Sequence, residues 1–281
     1  MGAGSDRRKD PRVKKGLIVC AVDPFHSAPM LVQLAETAEA RGWDGFFITD
    51  HIVYRQNRYS GVADSWLSIA AIAASTKVMT VGVMVAPLPR YRPWDVASHI
   101  ISLDQLAPGR IVIGVGLGST TSADFECLGP PLSLRLRVEM FDESLSLVKR
   151  FLLGEHVTST GGFFPVNGVQ LTDSLADDDL WCGGIWPGPS VGRARRCDGY
   201  FPEKTRGYLD LDEIKSIRRA LDETDDRSLK LIVERQPSAR RNDDSLERAG
   251  VAWCLDYVGW REHTYSEAMN LIQLGPANMH L

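Results

Sequence analysis

The 281-residue chain lacks several features that would narrow its function at once. No run approaches the ~18 apolar residues of a membrane-spanning helix, and the basic opening MGAGSDRRKDPRVKK has no apolar segment behind it that would make it a signal peptide. These absences predict a soluble, cytoplasmic protein with no membrane partner. There is no excess of basic charge. Lys and Arg number 32 against 36 Asp and Glu, a formal net charge of −4, which leaves no electrostatic footprint for nucleic acid. The five cysteines, Cys20, Cys127, Cys182, Cys197 and Cys254, show no CxxC spacing. Three of them fall in apolar, strand-like runs, where cysteine serves as a small buried hydrophobe. Neither a disulfide framework nor a metal site is expected. His26, His51 and His99 form no ligand motif, and His99 lies mid-helix among apolar neighbours. No linker and no short-period repeat divides the chain.

What is present is alternation. Residues 81–119, VGVMVAPLPRYRPWDVASHIISLDQLAPGRIVIGVGLGS, read as an apolar strand, a proline-marked loop, an amphipathic helix and a second apolar strand ending in glycines. Strands that are apolar nearly throughout fit a parallel sheet covered on both faces. Two of them joined by a helix form a right-handed βαβ unit. Further strands are read at 17–22, 45–49, 180–183, 199–201, 229–233 and 251–257, and helices at 30–41, 66–76, 134–154, 190–196, 211–221, 245–249 and 266–274. Residues 156–172 read as a small β excursion with turns at Gly161-Gly162 and Asn167-Gly168. Eight strands alternating with eight helices predict an α/β chain folded as a single (β/α)8 TIM barrel over residues 16–281. A disordered basic tail over residues 1–15 precedes it.

In such a barrel the chemistry sits at the C-terminal ends of the strands. The chain places Asp23, Phe25 and His26 after the first strand, Asp50 and His51 after the second, and Ala86-Pro87-Leu88 after the third. Gly116, Leu117, Gly118 and Ser119 follow the fourth, Gly183 to Trp186 the fifth, Glu203 the sixth and Asp256 the eighth. Asp50-His51 is the candidate for proton handling, because histidine titrates near neutral pH and a neighbouring carboxylate can orient or charge it. The alternative is a capping Asp50 beside a packed His51. Gly116-Leu117-Gly118 either admits a planar ligand to the backbone or fills a tapering barrel end. It is not the dinucleotide fingerprint, whose third glycine and strand-end acid are missing. Gly183-Gly184 before IWPGPSVGRARR sets a glycine-rich turn at a helix N-terminus, suited to phosphate, with Ser190 and Arg193 as further contacts. A plain βα turn with a basic solvent face is the other reading.

These residues resemble the bacterial luciferase-like flavin-dependent oxidoreductases, a family of (β/α)8 barrels. The resemblance is carried by LAETAEARGWDGFFITDHI (34–52), WLSIAAIAAST (66–76), the 81–119 stretch, LWCGGIWPGPSVGRARRCDGYFP (180–202), AGVAWCLDYV (249–258) and IQLGP (272–276). It implies a flavin across the barrel mouth, either FMN or the deazaflavin coenzyme F420. By matching position it implies a non-proline cis peptide at Met84-Val85, so that Met84, Val85 and Ala86 support the ring. Asp50 and His51 would lie next to the ring, Gly116, Leu117, Gly118 and Ser119 beside it, and Gly183, Gly184, Ile185, Trp186, Pro187, Gly188 and Ser190 on the phosphate.

The chain also departs from one branch of that family. The branch that oxidises sugar phosphates with the deazaflavin carries a carboxylate proton donor where this chain has Ser119. It also has an aromatic residue shortly after the Asp-His, where this chain reads Ile-Val-Tyr-Arg. Sugar-phosphate oxidation is therefore not expected. The expected activity is hydride delivery from reduced F420 to a small organic substrate, with His51 donating the proton and Asp50 orienting it. Phe25, Tyr54, Arg55 and Arg58 would line the substrate side. The alternatives are a reduced-FMN monooxygenase using O2 and a non-catalytic flavin-binding or assembly barrel. The resemblance also implies a separate reductase that supplies the flavin reduced and a homodimer packed through the helices after strands two and three; the alanine-rich IAAIAAS (69–75) fits either that contact or core packing.

Overall fold

The computed structural model describes residues 12–54, 61–119, 123–129, 132–175, 179–223, 229–235, 243–259 and 261–276. Along the chain run β1 (Lys14–Val19), α1 (Ala28–Ala40), β2 (Gly45–Ile48), α2 (Ser65–Ser75), β3 (Thr80–Pro87), α3 (Pro93–Leu106) and β4 (Ile111–Gly116). Then come α4 (Ala123–Cys127), α5 (Leu134–Leu152), β5 (Val157–Ser159), β6 (Val166–Val169), β7 (Asp179–Ile185), α6 (Ser190–Ala194) and β8 (Gly199–Glu203). The chain continues through α7 (Leu211–Asp222), β9 (Lys230–Arg235), α8 (Asp243–Arg248), β10 (Val251–Val258) and α9 (Tyr265–Leu274). Eight strands close a parallel barrel in the order β1-β10-β9-β8-β7-β4-β3-β2, while β5 and β6 pair apart as the small antiparallel excursion. The expected (β/α)8 architecture is the one found.

Local chemistry sets the helix starts. Asp64 accepts the Leu67 N–H at 2.8 Å, and Asp210 with Glu213, and Thr264 with Glu267, form reciprocal capping boxes. Two differences from expectation go beyond shifts of one or two residues at element ends. β1 opens at Lys14, inside the segment assigned to the tail. Val13 is already buried there, Lys15 pairs with Asp243, and Arg12 bonds Asp44 at 2.6 and 2.9 Å. The second is α4, which lies in a stretch read as loop. A helix of five residues is too short to show a periodic apolar face.

The interior of the barrel is plugged by side chains. Phe47, Trp181 and Trp253 meet with ring centroids 5.6 to 5.8 Å apart, packed among Ile18, Met84, Val112, Phe201, Ile232 and Leu255. A larger cluster fills the space between strands and helices. Strand residues alternate between the two layers. Leu255 faces the interior, so Asp256 faces outward, where it forms a fully buried pair with Arg235. Asp256 is therefore not a mouth residue, contrary to its strand-end position in the sequence. Breaking a buried pair by removing one partner strands the other charge. Asp256→Ala is expected to lower unfolding stability by about 3–5 kcal/mol in urea titrations. The double replacement Arg235→Met/Asp256→Leu is expected to lose less, because it leaves no charge behind.

Candidate active site

The mouth is built from the strand positions just above the plug. Residues two further along each interior-facing row are Cys20 (after Ile18), Thr49 (after Phe47), Gly183 (after Trp181), Glu203 (after Phe201), Glu234 (after Ile232) and Tyr257 (after Leu255). β3 joins them irregularly. The Met84-Val85 peptide is cis, and the β3–β4 register shifts between Val83 and Ala86. The chain makes room for this kink with glycines. A Cβ on Gly114 would stand 2.5 Å from Met84 Sδ, one on Gly116 2.9 Å from Val85 Cγ1, and one on Gly183 2.7 Å from Val85 Cγ2. Val85 thus rests on two glycines, half-buried, as an aliphatic shelf at the mouth.

The opposite wall is polar. Glu203 and Glu234 end neighbouring strands, and Tyr257 follows them on β10. Burial raises the Glu203 carboxyl, with His51 acting in the opposite sense. Burial, reinforced by Glu203 and Glu262, pushes Glu234 up to about 8. Burial likewise raises the Tyr257 and Tyr208 phenols. The Cys20 thiol, also raised by burial, hydrogen-bonds Thr49 and Tyr257.

Between the two walls stands His51, its ring edge-on to Tyr54 at 4.8 Å. The carboxylate facing it is Asp124 of α4, with Oδ2 3.8 Å from His51 Nδ1. That is an ion-pair distance rather than a hydrogen bond. Asp124 Oδ1 accepts the backbone N–H groups of Ile52 and Val53 at 2.9 and 2.6 Å, and Oδ2 accepts Arg90 Nη1 at 2.6 Å. Burial alone would raise this carboxyl. His51, the two amides and Arg90 together hold it down at about 2. Asp50 is engaged elsewhere. Its Oδ1 accepts Ser65 Oγ at 2.6 Å and pairs with Arg90 Nη2 at 2.5 Å, while its Oδ2 accepts the Tyr91 hydroxyl at 2.7 Å.

Several residues expected at the site lie elsewhere. Phe25 is fully buried in the outer core and cannot line a substrate. Ala86 also faces that core, Met84 is part of the plug beneath the mouth, and Leu117 and Trp186 pack against the helix layer. Gly118 (φ 75°) is closed off by Phe125 and Pro87, and Ser119 is exposed, its carbonyl accepting Arg137 Nη1 at 3.0 Å. In the expected phosphate turn, Ile185, Pro187 and Gly188 are exposed and Gly184 is half-buried, Trp186-Pro187 is cis, and the Trp186 N–H is donated to the Glu203 carbonyl at 2.8 Å. Ser190 is turned inward instead, donating to the Ile185 carbonyl at 2.9 Å and sharing a hydrogen bond with Tyr200 at 2.7 Å. It pins the turn and has no hydroxyl left for a ligand. Gly184 is what lets it approach, since a Cβ there would lie 2.5 Å from Ser190 Cβ. Arg55 and Arg58 lie outside the described residues. Sequence reading missed Arg90, Tyr91, Asp124 and Glu234. Period-two counting up β9 from Ile232 identifies Glu234, whereas no sequence signal links Asp124 to His51.

The sequence model of the luciferase-like monooxygenases matches residues 17–275. The F420-dependent glucose-6-phosphate dehydrogenase of Nakamurella multipartita is 28% identical over 211 residues, covering 69% of this chain and 60% of that protein. The chain spans about half the length of the curated relatives it matches. Among solved structures, an F420-dependent secondary alcohol dehydrogenase in complex with an F420-acetone adduct aligns with TM-score 0.75 at 16% identity, covering 95% of this chain and 99% of that one. The FMN complex of the oxygenating constituent of 3,6-diketocamphane monooxygenase, a type II Baeyer-Villiger monooxygenase of Pseudomonas putida, aligns with TM-score 0.64 at 22% identity, covering 80% and 67%. These two establish a common fold.

The mouth makes a pH prediction. Glu234 binds its proton more tightly folded (about 8) than at its ordinary value of 4.5, so its contribution to stability is lost as pH rises between those values. Glu234→Gln cannot lose a proton. Its melting temperature relative to the wild type is expected to rise as pH is raised from 5 to 9; a constant offset would show that Glu234 does not titrate in this range.

Proposed function

Because the chain belongs to the luciferase-like monooxygenase family, we propose that it is a flavin-dependent oxidoreductase in which reduced coenzyme F420 delivers hydride to a small organic substrate. The observation that carries this reading is the divided mouth, with an aliphatic shelf on one side, carboxyl and phenol groups on the other, and His51 between them. The shelf fits a planar ring system. Val85, carried on Gly116 and Gly183, offers a flat aliphatic contact, and the exposed turn up to Gly188 would give a phosphate close backbone approach at Gly188 and a cation at Arg193. The bound coenzyme supplies the electron pair, and the protein supplies orientation and electrostatics. His51 Nδ1 faces Asp124, which leaves Nε2 to hand a proton to the substrate. Tyr54 packs on the imidazole and narrows its approach. When ionised, Glu203 and Glu234 set like charge against an anionic substrate. Near neutral pH a protonated Glu234 can instead donate a hydrogen bond to an oxygen of an uncharged one.

FMN with O2 as co-substrate is the second reading, supported by the FMN complex among the structural neighbours. The absorbance of co-purified cofactor, followed by reconstitution with each coenzyme, separates the two. Tight FMN binding with oxygen uptake would replace the F420 reading. With the matching coenzyme, His51→Asn is expected to lower turnover about 10²–10⁴-fold, the usual range for a positioned acid, with coenzyme affinity held. Unchanged turnover would remove the assigned role, and no turnover with either coenzyme would favour a non-catalytic barrel.

The protein is further read as a cytoplasmic homodimer served by a separate reductase. No helix among the described residues is long and apolar enough to cross a membrane. The exposed face of α2 carries Leu67 (72% exposed), Ala71 and Ala74, continued by Val78 (81% exposed). This is an apolar stripe at helical spacing that a second copy would cover. Leu67→Glu is expected to convert a dimer to a monomer in sedimentation velocity, and a wild-type monomer would exclude the assembly.

A further inference from the structure

We propose that Asp124, and not the adjacent Asp50, is the positioning residue for His51, joining the loop after β2 to the segment after β4. The inference rests on the reading of His51 as proton donor. Three observations carry it. Asp50 has both carboxylate oxygens committed on the far side of the loop, to Ser65, Arg90 and Tyr91. Asp124 faces the imidazole directly, with 3.8 Å between its Oδ2 and His51 Nδ1. It also clamps the backbone that follows the histidine, taking the Ile52 and Val53 amides on Oδ1. One carboxylate therefore fixes both the ring's environment and the chain segment that carries the ring. Asp124 is 3% exposed, so these contacts act in a medium where charge–dipole and charge–charge interactions are strong.

Arg90 sets the arrangement. Nη2 takes Asp50 at 2.5 Å and Nη1 takes Asp124 at 2.6 Å, which holds the two carboxylates apart with the guanidinium between them. The groups that face His51 are Asp124 from α4, Glu203 from β8 and Tyr54 from its own loop, with Arg90 behind Asp124. The Asp124 carboxylate sits on the Nδ1 side of the ring, with Arg90 Nη1 on the same oxygen. The orientation resembles in logic the carboxylate–imidazole pairs of acyl-transfer enzymes, where the acid selects which ring nitrogen is free to act.

Histidine NMR on the full chain without coenzyme tests this directly. In Asp124→Asn the His51 titration midpoint is expected to fall by about one pH unit, a tenfold loss of proton affinity, with partial recovery in Asp124→Glu. With coenzyme, the alkaline fall of kcat is expected to move to lower pH by the same amount while the coenzyme Kd is held. An unmoved midpoint in a folded Asp124→Asn protein would overturn the assignment. If that variant does not fold, the wild type decides. The Asp124 side-chain carboxyl carbon must show a step at the pH where His51 titrates, and a flat trace would overturn it. Unchanged turnover in His51→Asn would instead remove the proton-donor reading while leaving the NMR coupling in place.

Discussion

A closed eight-stranded barrel encloses a volume that only side chains can fill, and in this chain the filling is aromatic. Phe47, Trp181 and Trp253 occupy more room than facing positions with a Cβ would leave, so their neighbours are glycines. A Cβ on Gly45 would lie 2.7 Å from the Trp253 ring and one on Gly199 2.7 Å from Trp181. The same relation climbs β4, where Gly114 and Gly116 face Met84 and Val85. The glycines that look like a ligand cradle in the sequence are required first by packing. They become part of the site because Val85, which they admit, is the surface presented to the mouth. Aromatic pairs of this kind add ~0.5–1.5 kcal/mol each beyond area burial, so the plug is also a stable floor for whatever binds above it.

The polar half follows from the same alternation. Above Phe201 and Ile232 the inward row reaches Glu203, the last residue of β8, and Glu234, the last inward-facing residue of β9. Their outward neighbour Arg235 is neutralised by Asp256 inside the wall. Burial of two inward acids side by side disfavours their ionisation, which is the cause of the raised Glu234. The barrel thus turns a period-two pattern into a mouth with chemically distinct sides.

The parts of this molecule legible in its sequence are those set by local pattern. Strand and helix alternation gave the barrel, resemblance gave the Met84-Val85 cis bond, and strand-end position placed His51. Phe25 and Asp256 were misplaced because strand-end position says nothing of which face a side chain takes. Counting by twos from Leu255 excludes Asp256 and brings in Tyr257. Adjacency in the chain pairs Asp50 with His51. Adjacent residues in an extended segment point to opposite sides, so chain neighbours are poor candidates for side-chain partners. The true neighbour, Asp124, sits on a five-residue helix that has no periodic signal. Arg90 and Tyr91 sit in a short proline-flanked turn after β3 that shows neither a strand nor a helix period.

Asp124 and Glu234 show how environment divides one functional group into two. Both are carboxyls at the same mouth, and for each burial is the largest influence, pushing toward the protonated form. At Asp124 two backbone amides, Arg90 and His51 reverse the push and leave an anion at about 2. At Glu234 the neighbours are further acids, Glu203 and Glu262, and the group reaches about 8. Near neutral pH the mouth therefore holds a fixed negative charge on the side of His51 Nδ1 and a neutral acid on the opposite wall. A pair of titratable groups driven apart in this way marks where protons are stored and where charge is held. On the reading proposed above, the imidazole has the Asp124 carboxylate on its Nδ1 side and the substrate space on the other. On the proposed reading, the chemistry suited to this arrangement is proton delivery to an uncharged acceptor, with Asp124 behind the ring.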